Sequence, residues 1–113
     1  MLVEMLGVKR AKEMMLLNRR LSATEALDWG LVNEVVEAEQ LDARAWELAR
    51  QLANGPTKAF GSVKRLVLGA AKNNIEAQMT AESRMIASNA KTQDGREGIA
   101  AFLEKRKPQF TGQ

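Results

Sequence analysis

The chain has 113 residues, 45% hydrophobic and 27% charged, with a net charge of +3, a balance that suits one small globular domain rather than a disordered chain. It contains no cysteine and no histidine, which removes a disulfide framework, thiol catalysis, the commonest zinc ligands and the usual imidazole base, so no metal site is expected. No apolar run is long enough to cross a membrane, and the opening MLVEMLGVKR lacks the basic-then-apolar order of a leader; the expectation is a cytoplasmic protein without a membrane partner.

Apolar spacing is helical along most of the chain. Ala11, Met14 and Met15 share one face of a first helix that Asn18 ends. In LSATEALDWGLVNEVV, Ser22 stands three residues before Glu25, the spacing of a capping box at the start of a short helix. Gly30 is placed to end that helix in the left-handed conformation. The β-branched run LVNEVV predicts one short strand over residues 31–36. Its only candidate partners within the chain are Arg20 and Leu21, so its backbone groups require either those residues or another chain.

Leu41, Ala45, Leu48, Ala49 and Leu52 form an apolar stripe at steps of three and four, a second full helix. The breaker Asn54-Gly55-Pro56 precedes a helix marked by Phe60, Val63, Val67 and Ala71. After Asn73 and Asn74, the positions Ile75, Met79, Ile86 and Ala90 continue the pattern in a long helix to about Asn89. Met14, Met15, Met79 and Met85 are read as core filler. Trp29 is expected to be packed, whereas Trp46 lies off its helix's stripe and is a candidate contact to another subunit or domain. With no internal repeat, low-complexity tract or linker, the simplest division is a single helical domain over residues 1–113.

Charge is segregated: residues 21–56 carry two basic and seven acidic side chains, and the flanks are net basic. Such flanks could draw a polyanion, but no aromatic residue interleaves with them as a stacking platform requires, so they are read as solvated helix faces and no nucleic-acid partner is expected. The row Lys58, Arg65 and Lys72 is read in the same way.

The closing stretch TQDGREGIAAFLEKRKPQF admits two readings, a phosphate cradle or a helix with marked ends. Asp94 and Glu97 have capping-box spacing, Ile99, Phe102 and Leu103 continue one face, and Pro108 predicts a stop with Lys105, Arg106 and Lys107 in the last turn. An aspartate at the helix mouth would occupy an anion site itself, so the helix reading is preferred.

Two stretches in order carry a resemblance. GVKRAKEMMLLNRRLSATEALDWGLVNEVV, with its glycine, helix, serine-alanine pair, short helix and GLV, resembles the crotonase pattern, and DGREGIAAFLEKRKPQF is similar to that family's carboxyl terminus. The chain resembles the C-terminal part of an enoyl-CoA hydratase/isomerase. The resemblance implies a mainly α, helical C-terminal portion of a crotonase-type fold, acting on an acyl-CoA within a homotrimer or dimer of trimers. Coenzyme A would enter as part of the substrate, with no separate cofactor. The family's oxyanion hole and catalytic acids precede the matched region, so no catalytic residue is carried over; Glu4, Glu13 and Glu25 are acids by type and are read as surface or capping groups. Two substrate-binding candidates are carried over. Lys105, the first lysine of EKRK, matches a lysine that approaches the phosphate-bearing end of coenzyme A, and Ile86 falls where some members place an aromatic near the adenine. In LVEMLG, Val3 and Glu4 stand where many members have proline and arginine. On this reading the chain contributes lid, coenzyme-A contact and subunit interface; the alternative is a non-catalytic helical interaction or oligomerisation module.

Overall fold

The computed structural model describes residues 2–113. They form six α-helices and one 3-10 turn: α1 Leu2–Leu17, α2 Ala23–Asp28, the turn Ala38–Gln40, α3 Leu41–Ala53, α4 Thr57–Ala70, α5 Ile75–Ala90 and α6 Gln93–Leu103. Packing divides the chain into two compact units, Met1–Asp42 and Ala43–Gln113.

In the first unit, Leu6, Ala11 and Ala26 are the buried apolar residues. Gly7 interrupts α1 with φ 72° and ψ 164°, a backbone that a side chain would strain. The α1 helix ends at Asn18, whose φ is 47°. The capping box of α2 forms: the Glu25 N–H donates to Ser22 Oγ at 3.2 Å, and the Ser22 N–H donates to the Glu25 carboxylate at 3.1 Å. Gly30, at φ 74°, closes α2 with N–H bonds from Gly30 to Leu27 O (2.9 Å) and from Leu31 to Ala26 O (2.8 Å), the two bonds of a Schellman motif. Trp29 is half-buried between cations, with the Arg10 and Arg19 guanidinium carbons each 5.0 Å from its ring centroid. Arg19 also pairs with Glu13 at 3.0 Å and with Glu25. The Ser22 backbone N–H, and after it the charge of Arg19, hold the Glu25 carboxyl below its ordinary range.

The expected strand over residues 31–36 is not formed; among the described residues there is none. β-Branched residues favour extended backbone, but a strand exists only with a neighbour to take its hydrogen bonds, and Arg20 and Leu21 do not supply one. Val32 and Val35 are exposed.

In the second unit, α5 packs against both α4 and α6. The α4 N-cap is Pro56, and α5 is capped by the Asn74 side chain, which accepts from the Ala77 N–H at 2.8 Å. Ser62 is buried in α4, where its hydroxyl donates to Lys58 O at 3.0 Å and lies 3.2 Å from Asn89 Oδ1 of α5. The apolar stripes are far from covered within the unit: Leu48 and Leu52 of α3, Val63 and Val67 of α4, Met79 of α5 and Ile99 of α6 are all exposed. Met15 of the first unit is exposed too, so core filling by the methionines does not hold within this chain for Met15 or Met79. Trp46 is 65% exposed, in keeping with its position off the stripe.

Candidate functional site

The site is built on α6 and the segment that follows it. Thr92 caps α6: its hydroxyl oxygen accepts from the Gly95 N–H at 2.9 Å and donates to Asn89 O at 2.7 Å. Asp94 is therefore not the cap, contrary to the expectation from its spacing to Glu97. It lies inside the first turn, 2% exposed, and its carboxylate receives the returning tail. Oδ1 accepts from the Thr111 N–H at 2.7 Å and from the Thr111 hydroxyl at 3.3 Å, and Oδ2 accepts from the Gly112 N–H at 2.8 Å. The Asp94 N–H in turn donates to Gln113 O at 2.8 Å. A capping rule ranks Asp above Thr; the tail's donors, which occupy the Asp94 carboxylate, reverse that order here.

The far end of α6 also departs from expectation. The helix stops at Leu103, so Lys105, Arg106 and Lys107 lie beyond it rather than in its last turn. The stop is a second Schellman motif, with N–H bonds from Lys105 to Phe102 O (3.3 Å) and from Arg106 to Ala101 O (3.0 Å). Lys105 occupies the position that Gly30 holds in α2, at φ 55°. Arg106 is engaged by two carboxylates: Glu97 takes Nη1 at 2.6 Å and Nη2 at 2.9 Å, and Glu104 takes Nε at 2.6 Å. Glu97 Oε1 also accepts the Gln109 N–H at 2.8 Å. These donors, the Arg106 guanidinium first and the Gln109 N–H second, hold the Glu97 carboxyl down to about 2 from its ordinary 4.5. The same contacts, Glu97 foremost, raise the Arg106 guanidinium above its ordinary value. Lys105 has no ion-pair partner among the described residues and is exposed.

A pH dependence follows from Glu97. Between about 2 and 4.5 the unfolded chain binds a proton at this carboxyl that the folded chain does not. Its contribution to stability is thus complete above pH 4.5 and is lost as pH falls through about 2. Melting temperatures measured across that window should fall less steeply for Glu97→Gln than for the wild type. Parallel curves would place the acid sensitivity at other carboxylates.

The second substrate-binding candidate, Ile86, lies on α5, 69% exposed, with no ring to offer a base. No direct bond joins it to Lys105 among the described residues. A recess of about 380 Å³ opens beside α6, walled by Pro56, Ile99, Phe102, Leu103 and Phe110. Phe102 is 83% exposed at its edge. Sequence reading missed this recess, although the spacing of Phe102 and Phe110 about the helix end was its visible trace. Among the described residues no cluster of acids could hold a metal, and no helix is long and apolar enough to cross a membrane.

The sequence profile of the enoyl-CoA hydratase/isomerase family matches residues 1–113. The chain belongs to the enoyl-CoA hydratase/isomerase family. It is 41% identical over 106 residues to the 1,2-epoxyphenylacetyl-CoA isomerase of Escherichia coli (strain K12), covering 94% of this chain and 40% of the relative. It is 34% identical over 104 residues to 4-chlorobenzoyl coenzyme A dehalogenase-1 of an Arthrobacter species, covering 92% of this chain and 38% of the relative. Among solved structures, an enoyl-CoA hydratase subunit I from Geobacillus kaustophilus HTA426 superposes with a TM-score of 0.93 at 38% identity, over 99% of this chain and 44% of that one. The chain thus spans about two fifths of the length of the enoyl-CoA hydratase/isomerase relatives it matches. Its six helices are the helical C-terminal portion of the crotonase-type fold.

Proposed function

We propose that this chain supplies the coenzyme-A contact, a lid and part of the subunit interface of an acyl-CoA-processing enoyl-CoA hydratase/isomerase. The observation that carries the reading is Lys105. A left-handed helix end suits glycine, as at Gly30, and a side chain there costs on the order of 1 kcal/mol. Lys105 bears this cost at φ 55° and has no ion-pair partner among the described residues, which leaves its ammonium for a contact outside the chain. An unpaired ammonium suits a phosphate of coenzyme A, which it approaches as a mobile point charge. Ile86 presents an aliphatic surface that covers the adenine without stacking on it. The exposed apolar residues of α3, Leu48 and Leu52 on its stripe and Trp46 off it, support the interface role in a homo-oligomer. No separate cofactor is part of this reading.

A remote phosphate contact is equally strong in ground and transition states, so its loss weakens binding without slowing the chemical step. In the protein that carries this chain, Lys105→Ala should raise the Kd for coenzyme A, and the KM for an acyl-CoA, about fivefold with kcat unchanged, as expected for a solvated ion pair near 1 kcal/mol. The effect should shrink in high salt. Unchanged constants would reduce Lys105 to a helix end.

A further inference from the structure

We infer that Glu97 is the positioning residue for Lys105, holding in place the turn from which that lysine projects; this rests on the coenzyme-A contact proposed for Lys105. A non-glycine residue in the left-handed region persists only where its surroundings over-determine it. The two backbone bonds of the Schellman motif fix the start of this turn. Its continuation is fixed by Glu97, whose carboxylate takes both terminal nitrogens of Arg106 and the N–H of Gln109. One carboxylate on α6 therefore ties down residues 106 and 109, immediately after Lys105. The fork is planar and two-pronged, which sets orientation as well as distance. It also occupies the middle cation of Lys105-Arg106-Lys107: with Glu104 on Nε and Glu97 on both Nη atoms, Arg106 has its charge answered within the chain. Lys105 keeps its ammonium for an outside anion.

The sign of one substitution separates positioning from simple electrostatics. Glu97→Gln removes a negative charge near the proposed anion, which by charge alone would tighten binding. Loss of positioning loosens it, so a raised Kd marks positioning and a lowered one marks charge alone. Arg106→Lys is the companion variant, because it keeps the positive charge and loses the two-pronged fork.

The experiment is calorimetric titration of free coenzyme A into the protein carrying this chain, as wild type, Glu97→Gln, Arg106→Lys, Lys105→Ala, and Glu97→Gln and Arg106→Lys each combined with Lys105→Ala. The expected result is a Kd raised about threefold by either fork variant, with no further rise when it is added to Lys105→Ala, the non-additivity of residues that act through one contact. A wild-type or lowered Kd for both fork variants, beside a weakened Lys105→Ala, would overturn the positioning role and leave the contact standing. A rise that adds in full to that of Lys105→Ala would likewise overturn it, since the fork would then act elsewhere. A wild-type Kd for Lys105→Ala would remove the contact, and the positioning role with it. Should Glu97→Gln fail to fold, Arg106→Lys decides by the same criteria.

Discussion

Gly95→Ala should be among the most damaging single substitutions in the second unit, lowering its stability by about 3 kcal/mol. A Cβ built at Gly95 would lie 2.1 Å from Asn89 O, 3.0 Å from Asn89 C and 3.1 Å from Ala90 Cα. All three are backbone atoms at the end of α5, so no side-chain rotation relieves the overlap. The α5–α6 corner would have to open, at the cost of the Thr92 bonds to Asn89 O. Gly61 is the control. It lies within α4 with nothing inside 4 Å of a built Cβ, so Gly61→Ala should gain about 0.5–1 kcal/mol from helix propensity alone. Thermal melts of both variants check the claim. A Gly95→Ala protein that melts with the wild type would mean that the corner has slack and that its tight geometry is not required.

The second large effect is expected at Asp94. Each of its carboxylate oxygens accepts a tail N–H, from Thr111 on one and Gly112 on the other, and hydrogen bonds to a charged group are worth about 1.5–3 kcal/mol. Asp94→Ala should cost about 2–3 kcal/mol, because the tail is freed as a unit rather than one bond at a time. Phe110, whose ring lies 3.7 Å from a Cβ built at Gly98, would leave the wall of the recess with it. Asp94→Asn separates chemistry from volume. Its amide can accept one of the two N–H groups but must point a donor at the other, so it should lose about 2 kcal/mol despite equal size. Loss of amide-exchange protection at Thr111 and Gly112 would accompany either change. If those amides stay protected in Asp94→Asn, the carboxylate is not what holds the tail.

These two sites mark how far the sequence is informative. The helices α3, α4 and α5 are legible because their apolar positions recur at three and four, and the Ser22–Glu25 box is legible because both partners lie within one turn. Asp94 is not. Its spacing to Glu97 has the form of a cap, but its partners are 17 and 18 residues away, and no local rule contains them. Arg106 is similar: as one of three cations before a proline it reads as a helix end, and only the fold brings Glu97, nine residues earlier, against it. The run over residues 31–36 failed for the opposite reason. Its β-branched residues state a local preference that only a neighbouring strand could satisfy. Lys105 and Ile86 are substrate-binding candidates by family likeness; periodicity places Ile86 on a helix face and gives neither a ligand.

The setting of Trp29 has a spectroscopic consequence. The chain has no tyrosine and two tryptophans, Trp29 in the first compact unit and Trp46 in the second. Trp46 is already 65% exposed, so unfolding changes its surroundings little. Trp29 is half-buried between two guanidinium groups and loses all of that. Intrinsic emission during denaturation therefore follows the first unit, whereas far-ultraviolet circular dichroism, dominated by the longer run of helices α3 to α6, follows the second. The gap between the two curves measures, without any label, how strongly the two units unfold together.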